Sequence, residues 1–436
     1  MRCLSLAFLF AGALSGQTAF EPAPYGCAMA HCDTRMSDLV RLQPPLGPTP
    51  VIIAHDPLPT GSGLGLGCVS NGRTVACSYN SPSGDTVIAY DAQGTRLWTS
   101  GALLNSSASA SAPMINATGG VIAADDAHVI RFTARGAVVW DTLTPGGIPL
   151  SPVTTASGAI ILATKGGPVS AYDSATGHLI GSLYIRESPS DPGYFDTLNT
   201  PCVSGNRVYI STARVGDPAN RAWLVALDID VNNPAEPLKL AWHYEFGGPS
   251  GASPLLLGNT IFFDGDRPSP GTPYNPHLFA VRDTGLGGPA LLWTQAVPAS
   301  VPASLAQDPR GGVWSMYKGY GKLERRAPAT GQLVETLDIP ALVADPLPNL
   351  PYSALTMAGT AQRPLLLIGT NDRQAVSSYV IAIDLTRRSL LWKLNLAAAY
   401  PGETAPKQFP IAVNTGGRPV VVFSGRFSGA YFLSTP

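Results

Sequence analysis

A short pattern recurs along most of this 436-residue chain and constrains its fold more than any other feature. The clearest copy is Tyr90-Asp91-Ala92-Gln93-Gly94-Thr95-Arg96-Leu97-Trp98. Gly136 to Trp140 repeats its second half, and Ala171-Tyr172-Asp173 through Gly177 is a third copy. Later copies end at Trp242, at Trp293, near Glu335 and at Trp392, and a shortened one, Gly429-Ala430-Tyr431-Phe432, follows. Five of the seven tryptophans hold the same place in the pattern, which identifies an internal repeat.

Each copy reads as an apolar strand, a turn built on Asp and Gly, and a second strand carrying a large aromatic. Asp bonds its own backbone and Gly supplies positive φ, which a tight turn requires. Two more short strands precede each copy, as in Pro113-Met114-Ile115 with Val121-Ile122-Ala123-Ala124. The first of them starts repeatedly at a small residue and a proline: Ala112-Pro113, Ser151-Pro152, Thr200-Pro201, Ser253-Pro254. Small residues there suit a strand crowded against a central axis. Four strands per period predict an all-β fold, a propeller of four-stranded antiparallel blades occupying residues 50–436. The count is eight blades, with seven as the alternative. The last blade has three strands of its own, and Val51-Ile52-Ile53-Ala54 is predicted to supply the fourth, closing the ring without a free sheet edge.

The pattern Ala-x-Asp-x-x-Thr-Gly-x-x-x-Trp, best matched by Ala171–Gly177 and by Ala382-Ile383-Asp384 with Trp392, resembles the repeat of the pyrroloquinoline quinone-like propellers. That superfamily holds both quinoprotein dehydrogenases and a non-catalytic scaffold of outer-membrane assembly. The resemblance spans roughly residues 50–436 and speaks for fold, because the repeat marks blades and not an active site.

Composition narrows the partners. There are 28 basic and 29 acidic residues, 13% charged in all, with no basic run, which argues against a nucleic-acid partner. Residues 1–19 read as a cleaved signal peptide: Arg2, then an apolar stretch too short to span a membrane, then small residues. The expected product is secreted or periplasmic, with no lipid anchor and no transmembrane span. In an oxidising compartment Cys68 with Cys77, across the turn Asn71-Gly72-Arg73, and Cys27 with Cys32 are expected as disulfides, leaving Cys202 odd.

The ends of the second strands and the long connections 183–200, 336–352 and 395–409 should share one face. That face collects the candidate ligand-binding residues Asp125, Asp126, Lys165, Arg214, Asp264, Asp266, Lys318, Asp372, Arg373 and Arg426. Mixed signs there would suit a metal beside a carboxylate or a quinone. The family resemblance implies pyrroloquinoline quinone with calcium as cofactors if the chain is an enzyme. However, the adjacent-cysteine pair of those dehydrogenases is absent, and their catalytic residues have no counterparts to carry over. Trp314 is the one tryptophan considered for a place beneath a quinone, with blade-core burial as the other reading. Cys-x-x-Cys-His and Gly-x-Ser-x-Gly are missing, and Gly61–Gly67 precedes a strand where a dinucleotide loop would need a helix. Outside the repeat, residues 20–49 form a Cys-containing arm in which Cys27, His31 and Cys32 are a candidate metal set. The leading expectation is an exported binding or scaffold module for a protein or small ligand. A quinone- and calcium-dependent oxidoreductase is the alternative, and a metal-binding accessory protein the third.

Overall fold

Alternating apolar residues bounded by Gly- and Asn-rich turns pair into short antiparallel strands. The computed structural model describes residues 18–47, 50–58, 64–81, 86–104, 111–217, 221–248, 251–266, 275–372, 374 and 376–435. Among these residues the strands pair in fours, in chain order, over 64–99, 114–143, 153–183, 202–247, 255–296, 306–338 and 356–395. A single opposition, Gly247 to Asp266, joins the fourth and fifth of these groups into one sheet. A further group breaks chain order. Ile411–Val413, Pro419–Ser424 and Gly429–Ser434 receive Val51–Pro57 as their outer strand, with Val51 opposite Ser434 and Pro57 opposite Gly429. The all-β propeller expected from the repeat is thus observed, and the predicted closing strand occupies its place.

The repeated tryptophans sit on the outer strands and dock each group onto the next. Trp98 donates its indole N–H to the Ala134 carbonyl, Trp140 to Ser174, and Trp293 to Pro328. The acceptors belong to the turn that follows the third strand of the neighbouring group. The turn glycine is required by this contact: a Cβ on Gly136 would lie 2.7 Å from the Trp98 ring, and one on Gly177 2.6 Å from Trp140. Both glycines also have positive φ, at 79° and 75°. Burying each indole contributes roughly 1.5–3 kcal/mol. Trp242 departs slightly, donating to the Asp283 carboxylate.

Three groups lack the tryptophan, and each solves the contact differently. Gly181 stands opposite Ala171, and the space a side chain would fill is taken by Pro237. Glu335 stands opposite Arg325 and bonds Arg388 of the following group at 3.0 Å. Ala54, opposite Phe432, lies 2.4 Å from where a Gly94 Cβ would be.

The segment before the repeat is part of the ring interior. Phe20 N–H donates to Ser174, Pro22 bridges Asn116, and Cys27 bridges Ser70, so the chain approaches from the end bearing the first-to-second strand turns. It then circles the inside. The carbonyls of Cys27, Ala28, Thr34, Arg35, Ser37 and Asp38 accept N–H groups from Ser70, Ile115, Val203, Leu256, Gln307 and Met357. Those six donors lie on the first strands of six different groups. Leu39–Val40 then runs parallel to Met357–Ala358, and the Pro45 carbonyl takes the indole N–H of Trp392. An inner strand edge is a row of unpaired backbone groups, and here the chain's own arm satisfies it.

Candidate functional site

The opposite end, where second strands finish, collects the long connections as the sequence implies. Phe195–Thr197 pairs along Thr212–Arg214, Leu350–Pro351 along Thr370–Asn371, and Arg426 N–H donates to Thr404. The charged residues there do not form one converging ring. Asp125 is buried and accepts the N–H groups of Ala127 and His128, closing its own hairpin. Asp372 does the same for Val376 and Ser377. Asp264 accepts the Val301 N–H across to the next connection. Asp126 is exposed and contributes its carbonyl to Thr144. Asp266 ends its strand, and burial raises its carboxyl above the usual range. Arg214 is held by Asp191 at 2.5 Å and lies over the Phe195 ring. Arg373 lies outside the described residues.

Part of that mixed-sign set is therefore engaged within the protein. Asp125, Asp264 and Asp372 accept backbone N–H groups, because a hairpin tip needs its own N–H groups satisfied first, whereas Asp126 is exposed. The cations Lys165, Lys318 and Arg426 remain, with no ion pair to a described residue. Sequence reasoning missed a fourth, Lys407, which sits in the connection just before Ile411–Val413. Its neighbour Gln408 reaches inward, donating to the Met29 and Cys68 carbonyls and accepting the His31 N–H. Burial lowers the Lys407 ammonium below the usual lysine range, and the nearby charges of Lys165 and Arg426 lower it further. Lys407 has no carboxylate partner among the described residues. No spacing motif marks such a residue, since its position depends on how two groups far apart in the chain meet.

Beside this cluster a cleft of about 550 Å³ opens between the fifth, sixth and seventh groups. Val301, Pro302, Leu350, Pro351 and Tyr352 line it together with Lys318. The Tyr352 hydroxyl accepts from Arg426 at 2.9 Å, which ties the cleft to the cationic cluster.

The candidate metal set is also corrected. Cys27 and Cys32 are joined as a disulfide, as are Cys68 and Cys77, so no thiolate is free for a metal at the arm. Cys202 is a free, buried thiol raised by desolvation. His31 Nδ1 lies 3.1 Å from the buried Asp38 carboxylate, which also receives the Ser304 hydroxyl. This wiring is wrong for a nucleophile, because the hydroxyl points at the carboxylate and not at the imidazole. Trp314 is fully buried and donates to Asp308, so it belongs to a blade core. Among the described residues no three His, Cys, Asp or Glu side chains come together as metal ligands. The residues present do not fit the calcium that a quinone site of this fold family would imply.

Four-stranded antiparallel groups, docked in five of eight cases by an outer-strand tryptophan, define a pyrroloquinoline quinone-like β-propeller. A family model described as outer membrane protein assembly factor BamB matches residues 39–284, more than half of the sequence, and the chain belongs to that family. Three solved structures share the fold. A europium-containing methanol dehydrogenase is 14% identical, with a TM-score of 0.62 over 93% of this chain and 90% of its own. A quinohemoprotein alcohol dehydrogenase from Comamonas testosteroni is 14% identical, with a TM-score of 0.59 over 94% of this chain and 81% of its own. The computationally designed Ika8 protein is 13% identical, with a TM-score of 0.57 over 89% of this chain and all of its own. At these identities the likeness concerns fold alone. No curated protein matches the sequence.

Proposed function

We propose that this chain is an exported, non-catalytic binding module that presents the second-strand end of an eight-bladed propeller to another protein. The observation that carries the reading is the distribution of polar groups between the two ends. The arm fills the ring interior, and at the open end Asp125, Asp264 and Asp372 are engaged by backbone N–H groups. A cleft of about 550 Å³ is left to meet a partner, and beside it stand cations that have no ion pair among the described residues. Two disulfides fit an oxidising compartment outside the cytoplasm. No helix among the described residues is long and apolar enough to cross a membrane. Membership of a family described as an assembly factor is consistent with protein docking.

The alternative, a quinone- and calcium-dependent oxidoreductase, has cations that would suit the carboxylates of the quinone but no acidic set for the metal. Calorimetric titration of the disulfide-intact chain with pyrroloquinoline quinone and calcium separates the two. The module reading expects no saturable heat at high micromolar quinone. Saturable, calcium-dependent binding would overturn it and make Lys407 and Arg426 the first residues to substitute. In the producing cell, photo-crosslinkers at position 318 or 352 should capture a partner that one at position 415, on the opposite end, does not.

A further inference from the structure

Resting on that reading, the open end says what kind of surface it recognises. Lys165 ends Ala159–Lys165, Arg426 follows Pro419–Ser424, and Lys407 lies in the connection entering the same group as Arg426. Two carboxylates stand close to them, and both are occupied. Glu403 accepts the N–H groups of Thr404 and Phe427. Asp196 accepts the Gly166 N–H beside Lys165, and burial raises it above the usual carboxylate range. Among the described residues the three cations thus lie within electrostatic reach of one another, Lys407 half-buried, with the Asp196 carboxylate offsetting Lys165 alone. Like charges gathered in a partly buried mouth cost free energy unless something negative completes them.

We infer that the mouth formed by Lys165, Lys407 and Arg426 is a docking site for an acidic, extended peptide segment of a partner protein, with an apolar side chain of that segment seated in the adjoining cleft. Charge complementarity selects the carboxylates. The cleft selects a peptide over a small free acid, because Pro302, Leu350, Pro351 and Tyr352 offer apolar surface that a bare dicarboxylate leaves unused. Arg426 links the two halves, donating to the Tyr352 hydroxyl on one side while its guanidinium stacks on Phe427 at 4.9 Å. Phe427 is about half exposed, at 53%, and extends the aromatic rim. Lys318 lines the far side of the cleft and is placed for a second acidic residue along the segment.

The test uses the disulfide-intact chain and a fluorescein-labelled decapeptide of Asp and Glu with one central Leu, read by anisotropy. Saturable binding is expected, weakening as salt rises, with no binding of the same peptide built on Lys. Lys407→Met should weaken it about tenfold, a typical loss for one charge-assisted contact. Lys165→Gln should weaken it by a similar factor, and Lys239→Gln, on an outer strand and 63% exposed in its side chain, should leave it unchanged. Lys407→Met relieves like-charge repulsion, so its melting temperature should equal or exceed that of the parent, which separates lost binding from lost fold. Equal affinity for the Lys peptide, or no effect of Lys407→Met and Lys165→Gln, would overturn the inference. So would free succinate competing as well as the peptide, which would make this a small-carboxylate site. If crosslinks form at position 318 while the acidic peptide fails to bind, the peptide inference falls and the module reading stands. If pyrroloquinoline quinone with calcium displaces the peptide at micromolar concentration, the module reading falls with it.

Discussion

At the scale of single residues, the contact between Asp283 and its neighbours shows how a repeat position becomes a point of stability. Arg207 Nη1 and the Tyr209 hydroxyl reach the Asp283 carboxylate at 2.9 and 2.7 Å, and the Trp242 indole N–H at 3.3 Å. Burial alone would raise this carboxyl, but the bonds from Tyr209 and Arg207 outweigh it and hold it below the usual range. A depressed folded value stabilises the protein above the unfolded carboxylate pKa of about 3.9, and that stability is lost as pH falls through the folded value. Asp283→Asn is therefore expected to destabilise by about 3 kcal/mol at neutral pH, since Arg207 and Tyr209 lose a buried partner. The variant should also lose less stability between pH 5 and the acid limit than the parent. Urea unfolding across that range measures both, and an unchanged acid limb would refute the assignment. Asp308, likewise depressed despite its burial by hydrogen bonds from Arg310, keeps the limb from vanishing.

At the scale of elements, the arm and the repeat differ in how much the sequence reveals. Strands, turn glycines and five docking tryptophans are readable because each is a local pattern copied along the chain. The arm has no such copy. It carries positive φ at His31, Cys32, Met36 and Asp38, between 51° and 74°, a strain on the order of 1 kcal/mol each that only surrounding bonds can hold. Those bonds come from residues far along the chain: Gln408 to His31, Ser304 to Asp38, Met357 to Asp38. Its cysteines read in sequence as a disulfide, with a metal set as the lesser alternative, and the structure joins them as the disulfide. Replacing Cys27 and Cys32 together by Ala should cost about 2 kcal/mol from loop-closure entropy of so short a loop. Hydrogen exchange should then quicken first at Val203, Leu256, Gln307 and Met357, whose N–H groups the arm caps. Uniform acceleration over all strands would argue that the arm is not a separate element.

At the scale of the whole molecule, closure is the decisive contact. Val51–Pro57 joins its group out of chain order as the outer strand, covering the outer edge of Gly429–Ser434. Without it that edge would present free backbone groups to other chains. A variant beginning at residue 59 should consequently self-associate, seen as a concentration-dependent mass by light scattering after size exclusion. Adding a peptide of residues 20–58, which returns the arm and the closing strand together, should restore the monomer, whereas one of residues 20–49 should not. A monomeric, stable truncation would show that closure by this strand is dispensable. The sequence by itself determined the propeller class, the outer-strand tryptophans, the Cys68–Cys77 pair across its turn and the closing strand, because period and turn chemistry are local and repeated. It also named the end of the molecule where loops gather. Which charges on that end stay unpaired was decided only by tertiary structure. Asp125 and Asp372 satisfy N–H groups of their own turns, whereas Lys407 and Arg426 meet Lys165 from a group far away in the chain, and no local pattern encodes that meeting.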